Sequence, residues 1–395
     1  MLRVLTLSTL FPNAAQPTLG VFVERQALGL AALPDVEVRV VSPVGLPPWP
    51  LSRHPHYAAR AALAEQEQWK GLPVWRPAYR VWGPLGQAGS ARRMAAALLP
   101  GLRRLRAEFP FDVIDAQFFW PDGPAAARLA HVLGVPFSIK ARGADIHHWG
   151  RPAGTRGQIV EAAAAADGLL AVSDALAGDM AALGIARDKI RTHCTGVDLD
   201  RFVPVDRMVA KARLGVSGML LVTAGALIPR KGQALVLEAL RAIPGATLFL
   251  VGDGPDRRAL ERQVRAAGIG ARVRFLGNRP HADLPGLLAA ADALVLPSSS
   301  EGLANVWVEA LACGTPIVIS DVGGAREVVD RPEAGRLVAR DPAVIAAAVR
   351  ALIAAPPAAA AVRAAAERFS WDRNARELRD HLAALVEGDR AVRAA

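Results

Sequence analysis

Cysteine is nearly absent: Cys194 and Cys313 are the two in a chain of 395 residues. That is too few for a disulfide framework, and the pair lacks the Cys-x-x-Cys spacing of a zinc site. No cluster of His, Asp or Glu has metal-ligand spacing either. Long apolar runs are missing: none reaches about 18 residues, so no helix is expected to span a membrane. The opening Met1–Ser8 is too short and too weakly charged for a signal peptide and reads as a buried strand. There is no tandem repeat, and the Gly-x-x-x-x-Gly-Lys order of a Walker loop does not occur. Aromatics make up only 5% and charged residues 21%, against 52% hydrophobic. That balance excludes wholesale disorder and permits large cores. At roughly 150 residues per domain the length fits two or three domains, with a cytoplasmic location by default.

What the chain has in plenty is arginine, with Lys+Arg 47 against Asp+Glu 37 and a formal charge of +10. The excess is concentrated: ten basic residues and two acids, Glu65 and Glu67, lie between Arg53 and Arg106. Tyr57, Tyr79, Trp49, Trp69, Trp75 and Trp82 fall in or beside that stretch. Basic residues mixed with amphipathic aromatics suit an anionic membrane interface, and a solvated helical face with Trp packed beneath it fits the same pattern.

Short β-rich runs alternate with alanine-rich helical segments. One series of candidate strands is Val4–Leu7, Val36–Val41, Val113–Asp115, Phe137–Lys140 and Gly168–Val172. A second is Leu220–Ala224, Thr247–Val251, Arg272–Leu276, Ala293–Leu296 and Pro316–Ser320. Their apolar residues are continuous rather than alternating, as in parallel strands buried on both faces. The pattern predicts an α/β protein of two Rossmann-like, doubly wound parallel-sheet domains facing a cleft. The expected boundaries are residues 1–200, 201–370 and a C-terminal helix, 371–395, crossing back to the first domain.

In such sheets ligands bind beyond the carboxyl ends of the strands. Four strand-to-helix loops of the second half stand there. Gly225–Gly232 carries adjacent Arg230 and Lys231, which are placed to neutralise a diphosphate, although taken alone the pair reads rather as two solvated loop cations. Gly252-Asp253-Gly254-Pro255 makes a tight turn that lets a ligand approach the backbone. Pro297–Ala310 places Gly302, Leu303, Ala304, Asn305 and Val306 at a helix start, with Asn305 as its expected cap and its N–H groups as an anion site. Glu301 and Glu309 bracket that start, and ionised carboxylates accept hydrogen bonds from vicinal hydroxyls. Ser320–Glu327, with paired Gly323 and Gly324, either closes the same pocket or is only a turn. Asp198-Leu199-Asp200 matches a metal signature, but it sits in the interdomain linker, away from any phosphate loop, and reads as a turn.

Taken together, Gly225 to Gly232, Gly252 to Pro255, Pro-Ser-x-x-Glu-Gly with Glu-x7-Glu, and Ala312 to Val318 resemble the retaining GT-B glycosyltransferases of family 4. Thr195-Gly196-Val197-Asp198, followed by Phe202 and Pro204, is similar to that family's interdomain signature, with Thr195 where Asn is usual. Gly20–Gln26 and Arg142–Asp145 resemble members that build cell-surface polysaccharides of the teichuronic acid and exopolysaccharide type.

The resemblance implies transfer from a nucleotide-diphosphate sugar to a saccharide or lipid-linked saccharide. It implies no metal and no cofactor beyond the donor substrate. It assigns Lys231 and Arg230 to the donor diphosphate, Glu301 to the sugar hydroxyls and Glu309 to the ribose. The backbone from Leu303 to Val306 takes further phosphate contacts. Gly20 would face acceptor and diphosphate, with Arg142 and Asp145 near the transferred sugar. Ala226 stands where the family often has Arg, and Arg142 where many relatives have His.

A nucleotide-sugar epimerase of related fold predicts a His facing the sugar, and the Glu-x7-Glu spacing speaks against it. A charge-driven membrane or nucleic-acid binding protein predicts a recognition motif or aromatic RNA-binding strands, and none is visible. The expected partners are therefore the donor, the acceptor and an anionic inner-membrane surface, with no nucleic acid.

Overall fold

The computed structural model describes residues 1–394. The chain divides into two units, Met1–Thr195 with Trp371–Ala395, and Gly196–Ser370. Each is built around one main sheet, parallel throughout in the second unit and parallel but for one edge strand in the first.

In the first unit the strands are β1 (Leu2–Leu7), β2 (Val36–Val41), β3 (Val44–Leu46), β4 (Gln66–Trp69), β5 (Leu72–Trp75), β6 (Ala78–Arg80), β7 (Val113–Ala116), β8 (Phe137–Ala141), β9 (Gly168–Ala171) and β10 (Ile190–Thr192). Eight of them form one sheet in the order β10-β9-β8-β7-β1-β2-β5-β4, while β3 and β6 pair separately. Only β4 runs antiparallel to its neighbour, β5. The strand order reverses at β1, which pairs with β7 on one side and β2 on the other.

The five strands expected in this half are present, with ends moved by at most two residues. Those not anticipated lie mostly in the basic, Trp-containing stretch, which is not a continuous helical face. Its first part holds a hairpin, β4–β5, and its second a helix over Ser90–Glu108. Trp69 faces Leu72 across a two-residue turn, with Lys70 at φ 50° and Gly71 at φ 88°. Such turns need both central residues left-handed, and a lysine there carries no turn signal of the Asn-Gly kind. The buried carboxylate of Glu24 holds the hairpin, accepting from Trp69 Nε1 at 2.5 Å and lying 2.9 Å from Lys70 Nζ.

The helix Trp371–Ala394 belongs to this first unit. Ala375, Leu378, Leu382 and Val386 recur every three or four residues and are buried, so one stripe faces inward. That stripe joins the core of Val4, Val23, Ala27 and Leu30, and the methyl of Ala375 would lie 3.4 Å from a Cβ placed on Gly29. A Cβ there makes ordinary van der Waals contact, so alanine fits at Gly29 while a bulkier side chain would press on the C-terminal helix.

The second unit contains β11 (Met219–Ala224), β12 (Ala246–Val251), β13 (Val273–Gly277), β14 (Ala293–Leu296), β15 (Ile317–Ser320) and β16 (Gly335–Val338). Their order is β13-β12-β11-β14-β15-β16, and every pairing is parallel. This is the doubly wound order whose reversal, between β11 and β14, marks the ligand-binding end of the sheet. Leu221, Leu248, Leu250, Val295 and Val318 from the strands pack with Leu237, Leu240, Ile345 and Val349 from the flanking helices. Each is fully or almost fully buried, so truncating any of the leucines would cost about 2–5 kcal/mol.

Candidate functional site

The loops after β11 and β14 leave the sheet on either side of its reversal, and they carry the second unit's charged residues of interest. After β11 the chain turns at Gly225 (φ 145°), makes a short 3-10 turn over Pro229–Lys231 and enters the helix Gln233–Arg241 through Gly232 (φ 75°). A Cβ on Gly232 would stand 2.4 Å from Pro297 O, so the two loops touch there as only glycine permits. Gln233, buried, donates to Ala226 O at 2.9 Å and closes the first loop on itself.

This packing brings Lys231 Nζ to 2.6 Å from Glu301 Oε1. Arg230 NH1 lies 3.3 Å from Glu301 Oε2 and also donates to Ser300 O. Glu301 is only 8% exposed, Lys231 keeps 14% of its side chain in contact with solvent, and Arg230 keeps 42%. One carboxylate is therefore flanked by two cations, leaving the cluster one positive charge in excess. An anion that carries more charge than one carboxylate can compete for those cations.

Gly252 (φ 126°) and Gly254 also serve the packing of two loops. Cβ atoms there would meet Gly225 O at 2.1 Å and Leu227 O at 2.4 Å. The glycines let this loop lie against the Gly225 loop, where Leu227 N donates to Asp253 O and Asp256 N to Leu227 O, both at 3.0 Å. Gly323 braces Glu301 in the same manner, since its Cβ would fall 2.2 Å from Glu301 O, and Gly324 N donates to Gly302 O at 2.7 Å.

The helix expected near Asn305 runs over Asn305–Ala312. Asn305 is its first residue, not its cap: Ala304 holds the cap position and brings no capping side chain. Leu303 is buried, while Ala304, Asn305 and Val306 are half-buried. One turn into this helix lies Glu309, buried, with Oε1 2.8 Å from His281 Nε2. His281 drew no attention in the sequence, because it follows β13 and lies far in sequence from the glutamate. Cys313, buried one turn beyond, has its thiol pushed up to about 12, by burial first and then by the charge of Glu309.

In the first unit Gly20 (φ 64°) caps the helix Val21–Ala31 on the loop after β1. A Cβ there would stand 2.2 Å from Leu10 O, which fixes the choice of glycine. Asp145 is fully buried, and its carboxylate accepts from the N–H groups of Phe119 (3.0 Å), Arg142 (3.0 Å) and Gly143 (2.8 Å). Burial still raises it above the usual carboxylate range. Those bonds spend the carboxylate on the shape of the loop after β8.

The side chain of Arg142 turns back to Gln117, and to Gln26 at 3.2 Å, and stacks over Phe22 at 4.9 Å. Beneath it lies a network that sequence reasoning missed. Lys140, fully buried, donates to Gln26 Oε1 at 3.0 Å and reaches His193 Nδ1 at 2.8 Å. His193 Nε2 lies 2.9 Å from Asn374 O, a carbonyl that only accepts, so Nε2 carries the hydrogen and Nδ1 accepts from Lys140. Asp115, pushed up to about 6 mainly by burial, bonds Gln117 in the same network. His147 pairs with Asp179 at 2.8 Å, away from this network.

Among the described residues no group of three or more His, Cys, Asp and Glu could hold a metal ion. The Asp198-Leu199-Asp200 segment is a turn, with Asp198 Oδ1 accepting from Arg201 N at 3.1 Å. No described helix is long and apolar enough to cross a membrane.

Both halves of the chain match known families. Residues 19–201 match the model of Glycosyltransferase Family 4 and residues 208–369 that of Glycosyl transferases group 1. The teichuronic acid biosynthesis glycosyltransferase TuaC of Bacillus subtilis is 30% identical over 333 residues, 82% of each chain. The chain belongs to glycosyltransferase family 4. D-inositol 3-phosphate glycosyltransferase 1 of Catenulispora acidiphila is 32% identical to this family 4 protein, over 76% of this chain and 78% of its own.

Solved structures share its GT-B fold. Sucrose-phosphate synthase from Thermosynechococcus elongatus matches with TM-score 0.78 at 20% identity, over 98% of this chain and all of its own. HepE of Anabaena, in complex with UDP, matches with TM-score 0.74 at 21% identity over 97% of this chain and all of its own. The acid between two cations lies beside the reversal of a doubly wound sheet, the end at which such sheets bind ligands.

Proposed function

We propose that this glycosyltransferase moves a sugar, with retention and without a metal, from a nucleoside-diphosphate sugar to a saccharide or lipid-linked saccharide in cell-surface polysaccharide synthesis. The observation that carries the reading is the Lys231–Glu301–Arg230 cluster beside the reversal of the second unit's sheet. The likeness to TuaC supports the polysaccharide setting, and HepE's complex with UDP makes a uridine donor the first to test.

Lys231 and Arg230 supply the positive charge that a divalent cation supplies in metal-dependent transferases, and they neutralise the leaving diphosphate. Glu301 accepts from the sugar's hydroxyls and Glu309 from the ribose. As the C1–O bond breaks, its electron pair goes to the β-phosphate oxygen. The acceptor oxygen bonds to C1 on the same face, and its proton passes to the departing phosphate. No side-chain base is needed, which suits an Asp145 whose carboxylate is committed to backbone N–H groups. Acceptor binding falls to the first unit, with Gly20 and the Arg142–Asp145 loop forming its floor.

The same unit supports a cytoplasmic enzyme attached to the inner face of an anionic membrane. β3 and β6 run parallel with Leu46 opposite Arg80, so Trp49 and Trp82 leave the same end of that pair. Trp49 is 74% exposed, Leu51 59% and Trp82 50%, beside exposed Arg53, Arg80 and Arg92. Trp69 and Trp75, by contrast, are tied to Glu24 and Glu65, and Tyr79 is buried.

The test of the transfer chemistry is proton NMR of the slow hydrolysis of an α-linked nucleotide sugar in the presence of chelator. Initial release of the α-anomer supports the reading. Release of the β-anomer, or loss of turnover with chelator, overturns it.

A further inference from the structure

We infer that His281 is a positioning residue for donor recognition: it holds the Glu309 carboxylate in the orientation that receives the ribose hydroxyls. The inference rests on the donor-site reading above and adds a residue to it. His281 follows β13 in a 3-10 turn, His281–Asp283, on a different element from Glu309. Its Nε2 lies 2.8 Å from Glu309 Oε1. An ionised carboxylate only accepts, so Nε2 donates. Nδ1 is buried and has no hydrogen-bond partner, so the ring's one ordered polar contact is with Glu309.

The ring is itself held. Phe202 packs edge-on against it, with centroids 5.4 Å apart and planes at 63°. Phe202 O accepts from Arg363 NH1 at 2.5 Å, and the same nitrogen donates to Ala312 O, the last residue of the helix that carries Glu309, at 2.7 Å. Arg363 NH2 donates to Leu199 O at 2.7 Å. Arg363 thus ties the Phe202 segment to the end of the Glu309 helix, and Phe202 packs against His281, so glutamate and imidazole keep their spacing.

The consequence is preorganisation. A free glutamate samples several rotamers and loses that freedom when it binds a ligand. Glu309 has already lost it to His281. Each carboxylate oxygen has two lone pairs, so the bond to His281 leaves acceptor capacity for a vicinal diol. The gain belongs to ground state and transition state alike, because the ribose does not react. Removing it should raise KM and leave kcat unchanged.

Two variants separate the hydrogen bond from the packing. His281→Phe keeps a ring against Phe202 and removes the donor, whereas His281→Gln keeps an N–H donor at similar reach and removes the ring. Calorimetry uses the tightest binder among UDP, GDP and ADP, together with its 2′,3′-dideoxy counterpart. The expected result is about three- to tenfold weaker binding of the ribonucleotide by His281→Phe, recovery in His281→Gln, and no loss by either with the dideoxy nucleotide. In the Glu309→Ala background His281→Phe should add nothing.

Equal losses with ribo- and dideoxynucleotide, or no loss in His281→Phe while Glu309→Ala abolishes binding, overturn the inference and leave the donor site standing. If Glu309→Ala binds as wild type, or none of the three nucleotides binds, the donor-site reading falls and this inference with it.

Discussion

Replacing Glu301 by glutamine should have opposite effects on nucleotide binding and on sugar transfer. Glu301 pairs with both Lys231, at 2.6 Å, and Arg230, at 3.3 Å. A diphosphate arriving at those cations meets the carboxylate's negative charge as well as their positive ones. At about 6 Å and an effective dielectric of about 20, two like charges repel by roughly 3 kcal/mol. Solvent around the half-exposed Arg230 reduces that by half or more, leaving about 1–1.5 kcal/mol. Glu301→Gln removes that repulsion and keeps an acceptor for Lys231, so the nucleoside diphosphate should bind about tenfold tighter. The neutral amide is a weaker partner for the donor's sugar hydroxyls, and turnover should fall about 10²–10³-fold. Lys231→Ala should lower both, with the diphosphate weakened by about 1.5–3 kcal/mol, the value of a charge-assisted hydrogen bond. Calorimetry with UDP, GDP and ADP, beside a transfer or hydrolysis assay, reads both quantities. If Glu301→Gln weakens the diphosphate as Lys231→Ala does, the carboxylate is not competing for the cations and the reasoning fails.

Three further outcomes follow from the geometry. Gly252→Ala should lose at least about 3 kcal/mol in chemical denaturation, because its Cβ would stand 2.1 Å from Gly225 O at a φ of 126°; a loss under 1 kcal/mol would mean that the two loops are not packed as described. Asp122, buried and accepting from Thr9 N at 2.9 Å, is pushed up to about 7, chiefly by burial. The unfolded chain gives up that proton near pH 4 and the folded one near pH 7, so this group removes stability as pH rises between them; Asp122→Asn should therefore be progressively stabilised relative to wild type across that window, and a constant difference would contradict the assignment. Trp49→Ala with Trp82→Ala should weaken sedimentation with phosphatidylglycerol vesicles at least tenfold and leave Tm unchanged; unaltered sedimentation would remove that surface from the account.

The parallel sheets were legible because buried strands write themselves as unbroken apolar runs. Leu248–Val251, within β12, and Ala293–Leu296 need no tertiary information to be found. The short strands β3, β6 and β10 were not legible: three residues are too few for a period, and their pairing is decided by distant segments. The β4–β5 hairpin hid behind a Lys-Gly turn whose left-handed lysine is tied to Glu24, nearly fifty positions upstream.

In the site, Arg230, Lys231, Glu301 and Glu309 stood out because their spacing within loops and a helix start is local. What joins them is not local. Glu301 meets the cations only because Gly232 lets its loop touch Pro297. His281 reaches Glu309, and Lys140 reaches His193, only after strands from separate parts of the chain align. Asn305 was misplaced as a cap by a single position, within the usual uncertainty of a helix end.

The most direct measurement is a calorimetric titration with UDP-, GDP-, ADP- and CMP-sugars, carried out on the wild type and on Glu309→Ala. The account predicts that one nucleotide class binds and that the variant loses it by at least tenfold. Binding that Glu309→Ala leaves intact, or no binding at millimolar ligand, would contradict a donor site built on Lys231, Glu301 and Glu309.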